Sequence, residues 1–207
     1  MSHPVRTVLS FLVLLLPSWP MLGVAAEEEL LYKYDFCLVC HGYDGQGNII
    51  VSAPPLAGIE SWYLVQALES YQGASRHTSA SAMEMQSAAR MIAAVDLAEV
   101  RSFVALLKPA PTESRSLATA EQLQRGAESY AQYCAACHGS DAEGNEQLAA
   151  PGLKRLEGWY LVTAWQAYLA GSRGDDNAPA AARQMRQVAL SIPSGIVIDD
   201  VIAFITQ

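Results

Sequence analysis

The chain has 207 residues, of which 51% are hydrophobic and only 16% charged, so it can bury a core and does not read as a disordered tail. Its formal net charge of −8 argues against nucleic acid or an anionic membrane surface as a partner, and serves equally to keep an exported protein soluble. Four cysteines, all confined to two short motifs, leave none for a general disulfide framework.

Residues 1–26 read as a secretory signal peptide. His3 and Arg6 give a weakly positive start, Val8 to Leu16 form an apolar run, Pro17 and Pro20 break it, and Val24-Ala25-Ala26 supplies the small residues of a cleavage site. An uncleaved anchor would need about 20 apolar residues without an early proline. Cleavage after Ala26 removes one basic residue (Arg6) and no acidic one, moving the net charge from −8 to about −9.

Residues 37–48, CLVCHGYDGQGN, place a histidine directly after the second of two cysteines spaced three apart. A loop rich in Gly, Asn and Pro follows. SWYLVQALESYQG then predicts a helix with Ser61 as N-cap and Gly73 as its stop, and VDLAEVRSFVALL predicts another, with Asp96 as cap and Glu99 three positions on. KPAPTESRS, at 108–116, carries the prolines and polar residues of a linker. Beyond it, Thr119 and Gln122 form a capping box for a helix that runs into the second motif, CAACHGSDAEGN, at 134–145. GWYLVTAWQAYLAG stops at Gly171, and Asp199-Asp200 introduce a last helix ending VIAFI. No alternating strand pattern occurs anywhere, so the expected class is all-α.

Shifting the sequence by 97 positions lays residues 37–76 on 134–173 without a gap, with 19 of 40 pairs identical. A period of this length marks a duplicated domain and not a solenoid repeat. The expected organisation is a signal peptide at 1–26, domain 1 at 27–108, a linker at 109–117 and domain 2 at 118–207.

Three chemistries compete for the motifs. A closed structural zinc site needs four ligands, and each Cys-Cys-His set offers three. A thioredoxin-type thiol pair belongs in a βαβ context that is absent here. Cys-x-x-Cys-His is the pattern of covalent c-type haem attachment, through Cys37 and Cys40 in one copy and Cys134 and Cys137 in the other, with His41 and His138 facing the irons. Two such motifs in an exported, duplicated chain predict two haem c groups. An opposite methionine ligand raises the potential of a haem iron. Met83, Met85 and Met91 follow His41, while Met185 alone follows His138. His77 keeps bis-His coordination open for the first haem, and a lone Met is often mere core filler.

The mature chain resembles the class I cytochromes c, in particular the two-haem cytochrome c4 group, and also the cytochrome domains fused to some terminal-oxidase subunits. The resemblance rests on Cys-x-x-Cys-His-Gly, the Gly/Asn loop, Pro-x-Leu, the Tyr-Leu helix, a Met and a short helix with an acidic cap. It implies two tandem domains, each wrapped around its haem. It selects Met85 and Met185 as ligands, since Ile92 and Ile192 stand seven positions after them, and leaves Met83 and Met91 as packing residues. It implies that Arg76 and Arg173 bind haem propionates, against the plain alternative of solvated helix-end arginines. Pro54 and Pro151, with Leu56 and Leu153, would line the His side of each haem; Trp62 and Trp159 are as well explained as core. Two departures stand out. Met follows His by 44 residues in the first copy and by 47 in the second, and Glu29 takes the place held by Gly126, which predicts a short or irregular first helix.

With protein ligands on both faces of each iron, the expected activity is one-electron transfer without substrate turnover. The leading expectation is a free periplasmic carrier between a quinol-oxidising complex and a terminal oxidase, meeting membranes only through its partners. The alternatives are an electron-accepting subunit of a periplasmic dehydrogenase and a dihaem peroxidase, the latter opposed by both methionines.

Overall fold

A computed structural model describes residues 22–76, 79–92, 96–109 and 117–207. The expected signal peptide and linker fall largely outside these residues, at 1–21 and 110–116, as does His77. Among the described residues there are ten α-helices and no strand, and none of the helices is long and apolar enough to cross a membrane.

The first half comprises α1 (Leu22–Lys33), α2 (Asp35–His41), α3 (Ser61–Gln72), α4 (Ala80–Arg90) and α5 (Leu97–Leu106). The second repeats the order as α6 (Ala120–Tyr133), α7 (Ala135–His138), α8 (Gly158–Ala170), α9 (Ala180–Ser191) and α10 (Ile198–Ile205). In each half a short 3-10 turn follows the cysteine motif, Ile49–Val51 or Glu146–Leu148, capped by the side chain of Asn48 or Asn145. Tyr34, Leu68, Phe103 and Val104 anchor the first core, and Tyr130, Leu161, Val201 and Ile202 the second. Both cores lie beside a cavity.

The first and last helices of each half cross to close it, by different means. In the second half a Cβ on Gly126 would lie 2.0 Å from the Asp200 carbonyl oxygen, so the backbones of α6 and α10 touch there and only glycine fits. Buried Asp200 accepts a 2.8 Å bond from Arg125 Nε across the same crossing. The capping box expected at the start of α6 is formed in full by Thr119 and Gln122. In the first half Glu29 turns to solvent, and α1 is regular over twelve residues, not short or irregular as expected. Polar contacts replace the glycine crossing there: Lys33 Nζ reaches Asp96 at 3.3 Å and Glu99 at 2.5 Å, and the Tyr34 hydroxyl donates to Glu99 at 3.0 Å. Hydrogen bonding to Glu99 raises the Lys33 pKa.

Two expected caps differ in detail. Ser61 is the first residue of α3, and Glu60 holds the cap position without a side-chain bond. Asp96 occupies the cap of α5 but makes no capping bond, because its carboxylate is engaged by Lys33. Gly171 ends α8 in the left-handed conformation, as expected from its place after the last apolar residue.

Gly126→Val should lower unfolding stability by about 2–3 kcal/mol, because overpacking forces two backbones apart. Glu29→Val, at the equivalent place on α1, should cost less than about 0.5 kcal/mol. Denaturant unfolding of the two variants checks the contrast.

Candidate functional site

His41 ends α2 and is buried; its Nδ1 lies 2.7 Å from the carbonyl oxygen of Pro54. His138 at the end of α7 repeats the arrangement with Pro151 at 2.8 Å. A carbonyl only accepts, so Nδ1 carries the proton and Nε2 keeps its lone pair for a metal. Burial lowers both imidazole pKa values against the opposing carbonyl bonds, which holds the rings neutral, as ligation requires. Backbone bonds fix the loops around them: Gly47 N donates to the His41 carbonyl at 2.7 Å and Gly144 N to that of His138 at 2.8 Å.

Each histidine lines a largely apolar cavity, of about 440 Å³ in the first half and about 200 Å³ in the second. Cys37, Cys40, Pro54 and Leu56 share the first with His41; Cys134, Cys137, Pro151 and Leu153 share the second with His138. Met85 on α4 and buried Ile92 also line the first cavity, and Met185 on α9 with Ile192 the second. Met83 and Met91 are exposed and line neither. Trp62 and Trp159 also lie outside both linings and stack edge-on against Tyr63 and Tyr160.

The cysteines are not joined in disulfides, and burial pushes the thiols of Cys37 and Cys134 up to about 11. That does not suit a redox-active pair, which reacts through the thiolate. Among the described residues no three His, Cys, Asp or Glu side chains converge as a metal-binding group.

Arg76 and Arg173 are not solvated: only 9% and 8% of their surfaces are exposed. They meet each other across the two halves in an antiparallel backbone bridge. The Tyr63 hydroxyl accepts from Arg76 at 3.4 Å and also from Arg173, while Arg173 packs 4.6 Å over the Tyr168 ring. Both arginines, Tyr63 and Tyr160 line both cavities. Glu60 ties the halves together further, accepting from Gly152 N at 2.9 Å.

Sequence reasoning missed this shared wall, although the repeated Trp-Tyr-Leu-Val run carried a signal for Tyr63 and Tyr160. Buried guanidiniums without carboxylate partners are costly. Burial alone would raise the Tyr63 pKa, but Arg173 and Arg76 overcome it and draw the phenol down to about 8. Arg173 Nε has no hydrogen-bond partner among the described residues. The wall therefore calls for anions supplied from within the cavities. A haem fits each cavity on these grounds, by its apolar ring and its two propionates.

The cytochrome c family model matches the chain twice, over residues 28–108 and 123–207. The chain belongs to the cytochrome c family. Its two tandem cytochrome c domains, each with one Cys-x-x-Cys-His motif, bind two covalent haem c groups. A search of curated proteins finds no match. Among solved structures, the fold is similar to reduced cytochrome c4 from Pseudomonas stutzeri, at 21% identity and a TM-score of 0.64, over 87% of this chain and 95% of that one. Cytochrome c4 from Acidithiobacillus ferrooxidans is similar at 23% identity and a TM-score of 0.62, over 82% and 96% of the two chains. Thiosulfate dehydrogenase from Marichromatium purpuratum is similar at 25% identity and a TM-score of 0.63; 87% of this chain is covered, but only 38% of the other. The all-α, two-domain cytochrome fold expected from the sequence is the fold observed.

Arg173→Met should lower the midpoint potentials of both haems, because this one cation lines both cavities and favours the more negative, oxidation-resistant reduced form. A drop on the order of 60 mV, tenfold in a one-electron equilibrium, is the expected scale. Spectroelectrochemical titration resolves whether two centres shift or one.

Proposed function

We propose that this chain is an exported two-haem electron carrier that passes single electrons between respiratory proteins and transforms no substrate itself. The observation that carries the reading is that each cavity is lined by a buried, neutral histidine and by one methionine, Met85 or Met185.

In this reading Cys37, Cys40, Cys134 and Cys137 would hold the haems through thioethers, and His41, Met85, His138 and Met185 would supply the protein ligands of the irons. Bound haem would supply reversible Fe(III)/Fe(II) exchange, and a histidine and a methionine ligand together would leave no position for a substrate. Pro54 and Pro151 hold the histidine rings in the ligating tautomer. Arg76 and Arg173 would neutralise the haem propionates, and Pro54, Pro151, Leu56 and Leu153 would exclude water from the histidine sides. The two cavities share a wall, since Tyr63, Tyr160, Ala164 and both arginines line both. That shared wall supports electron exchange between the two cofactors within one molecule. Periplasmic location, through cleavage near Ala26, belongs to the same proposal, with domains at 27–108 and 118–207 joined by the linker at 109–117. A quinol-oxidising complex is the proposed donor and a terminal oxidase the acceptor.

A second reading makes the chain the electron-accepting subunit of a periplasmic dehydrogenase. The likeness to part of a thiosulfate dehydrogenase supports it. Co-purification with a larger catalytic chain would favour this reading over a free carrier.

Intact mass should exceed the processed polypeptide by two haems that acidified acetone fails to extract. The oxidised protein should show the near-infrared sulfur-to-iron band; Met85→Ala and Met185→Ala should each remove about half of its intensity, one haem's share of two. Loss of the band in Met83→Ala would overturn the assignment in the first domain. Carbon monoxide should bind neither reduced iron, and oxidase-rich membranes should reoxidise the ascorbate-reduced protein. Carbon monoxide binding at one haem, with rapid peroxide turnover, would turn the reading toward an enzyme.

A further inference from the structure

The two histidine sites match as far as the peptide that holds each ring, and there they part. Pro54 and Pro151 are repeat partners, but the residues after them, Pro55 and Gly152, differ. Pro151 supplies the carbonyl that accepts from His138 Nδ1 at 2.8 Å, and Gly152 supplies the N–H of that same peptide group. Half-buried Glu60, at the start of α3 in the other half, accepts from this N–H at 2.9 Å. Carboxylate, peptide and imidazole thus form one hydrogen-bonded chain across the domain boundary. The first half cannot build the same chain, because the peptide after Pro54 ends in the nitrogen of Pro55, which carries no hydrogen. Two further observations give the contact its one direction. A Cβ on Gly152 would lie 2.3 Å from Glu60 Oε1, so glycine is what admits the carboxylate this close. Glu157, the repeat partner of Glu60, turns instead to the indole nitrogen of Trp159 in its own half.

We propose that Glu60 is a positioning residue for the histidine of the other half: through the Gly152 peptide it strengthens the bond that holds His138, and so lowers the potential of the second haem. The inference rests on the carrier reading above, which makes His138 a ligand, and adds a device that sets the two irons apart. A peptide whose N–H is bonded to an anion is polarised, and its carbonyl oxygen accepts more strongly. A stronger acceptor at Nδ1–H pushes electron density toward Nε2 and makes the imidazole a more basic ligand. A more basic ligand favours the oxidised iron. The first haem lacks this contribution, since Pro55 breaks the chain in its half. The Glu60 bond lies in a part-buried seam between the halves, where dissolved salt screens it less than it would at an open surface.

The test uses the nitrogen-15-labelled, reduced holoprotein and three variants. In Glu60→Ala the His138 Nδ1–H signal should move upfield while that of His41 stays in place. The midpoint potential of the second haem should rise by the equivalent of about three- to tenfold in its one-electron equilibrium, or 30–60 mV. Glu60→Gln keeps an acceptor oxygen without the charge, so both readouts should fall between those of the parent and Glu60→Ala. Glu157→Gln removes the same charge from the equivalent position; it should move neither histidine signal, and neither equilibrium by more than about twofold. Stepwise oxidation followed by NMR assigns each potential to its histidine. Equal rises of both potentials in Glu60→Ala, or an unmoved His138 signal, would make Glu60 a charge acting through space and overturn the proposal. An unchanged second potential would also overturn it, leaving Glu60 as a clamp between the halves and nothing more. A parent in which the His138 ring shows no ring-current displacement from haem would remove the ligand assignment itself, a result distinct from ligation that does not depend on Glu60.

Discussion

The bond from a histidine Nδ1 to a proline carbonyl thirteen residues later is the constraint on which each half depends. It joins the cysteine-bearing helix to the loop that returns across the cavity, at 2.7 Å for His41 and Pro54 and at 2.8 Å for His138 and Pro151. The loop between them must turn back within this span, and Gly47 and Gly144 allow it. Both take positive φ, and a Cβ on either would run into the backbone after Pro54 or Pro151. The ring is thereby fixed in one tautomer and one orientation before any metal arrives. Preorganisation of this kind spares the cofactor the work of ordering its own ligand.

The second constraint is electrostatic. Two buried guanidiniums face each other across the domain boundary and, among the described residues, meet tyrosines and no carboxylate. By itself this arrangement would favour separation of the halves. Carboxylates supplied from within the cavities would reverse the sign, and the two cavities share one polar wall.

Local features were legible in the sequence, and features set by distant partners were not. The Thr119–Gln122 capping box and the Gly171 stop depend on neighbours within one turn, and both are found as expected. Asp96 has the right residue type for a cap, but Lys33, 63 residues away, claims its carboxylate. Glu29 signalled only that the glycine crossing was missing; that α1 would stay regular with this residue turned to solvent depended on Lys33 and Tyr34 holding α5 instead. The cysteines, histidines and proline carbonyls could be found by the repeat itself. The meeting of Arg76 with Arg173 could not, because identical positions in two copies say nothing about the axis that relates them.

Duplication also explains why inside and outside diverge. Residues that touch the cavity or shape its loop are held by the same cofactor chemistry in both copies, and among them Pro54/Pro151, Leu56/Leu153, Tyr63/Tyr160 and Arg76/Arg173 are identical pairs. Residues at the rim answer to whatever lies outside, and there Val39/Ala136, Tyr43/Ser140, Ile49/Glu146 and Ile50/Gln147 have parted in size or charge. A carrier with two equivalent faces would gain nothing from a second domain beyond a second electron. Two domains whose interiors match while their rims differ present two unlike surfaces around one shared internal wall.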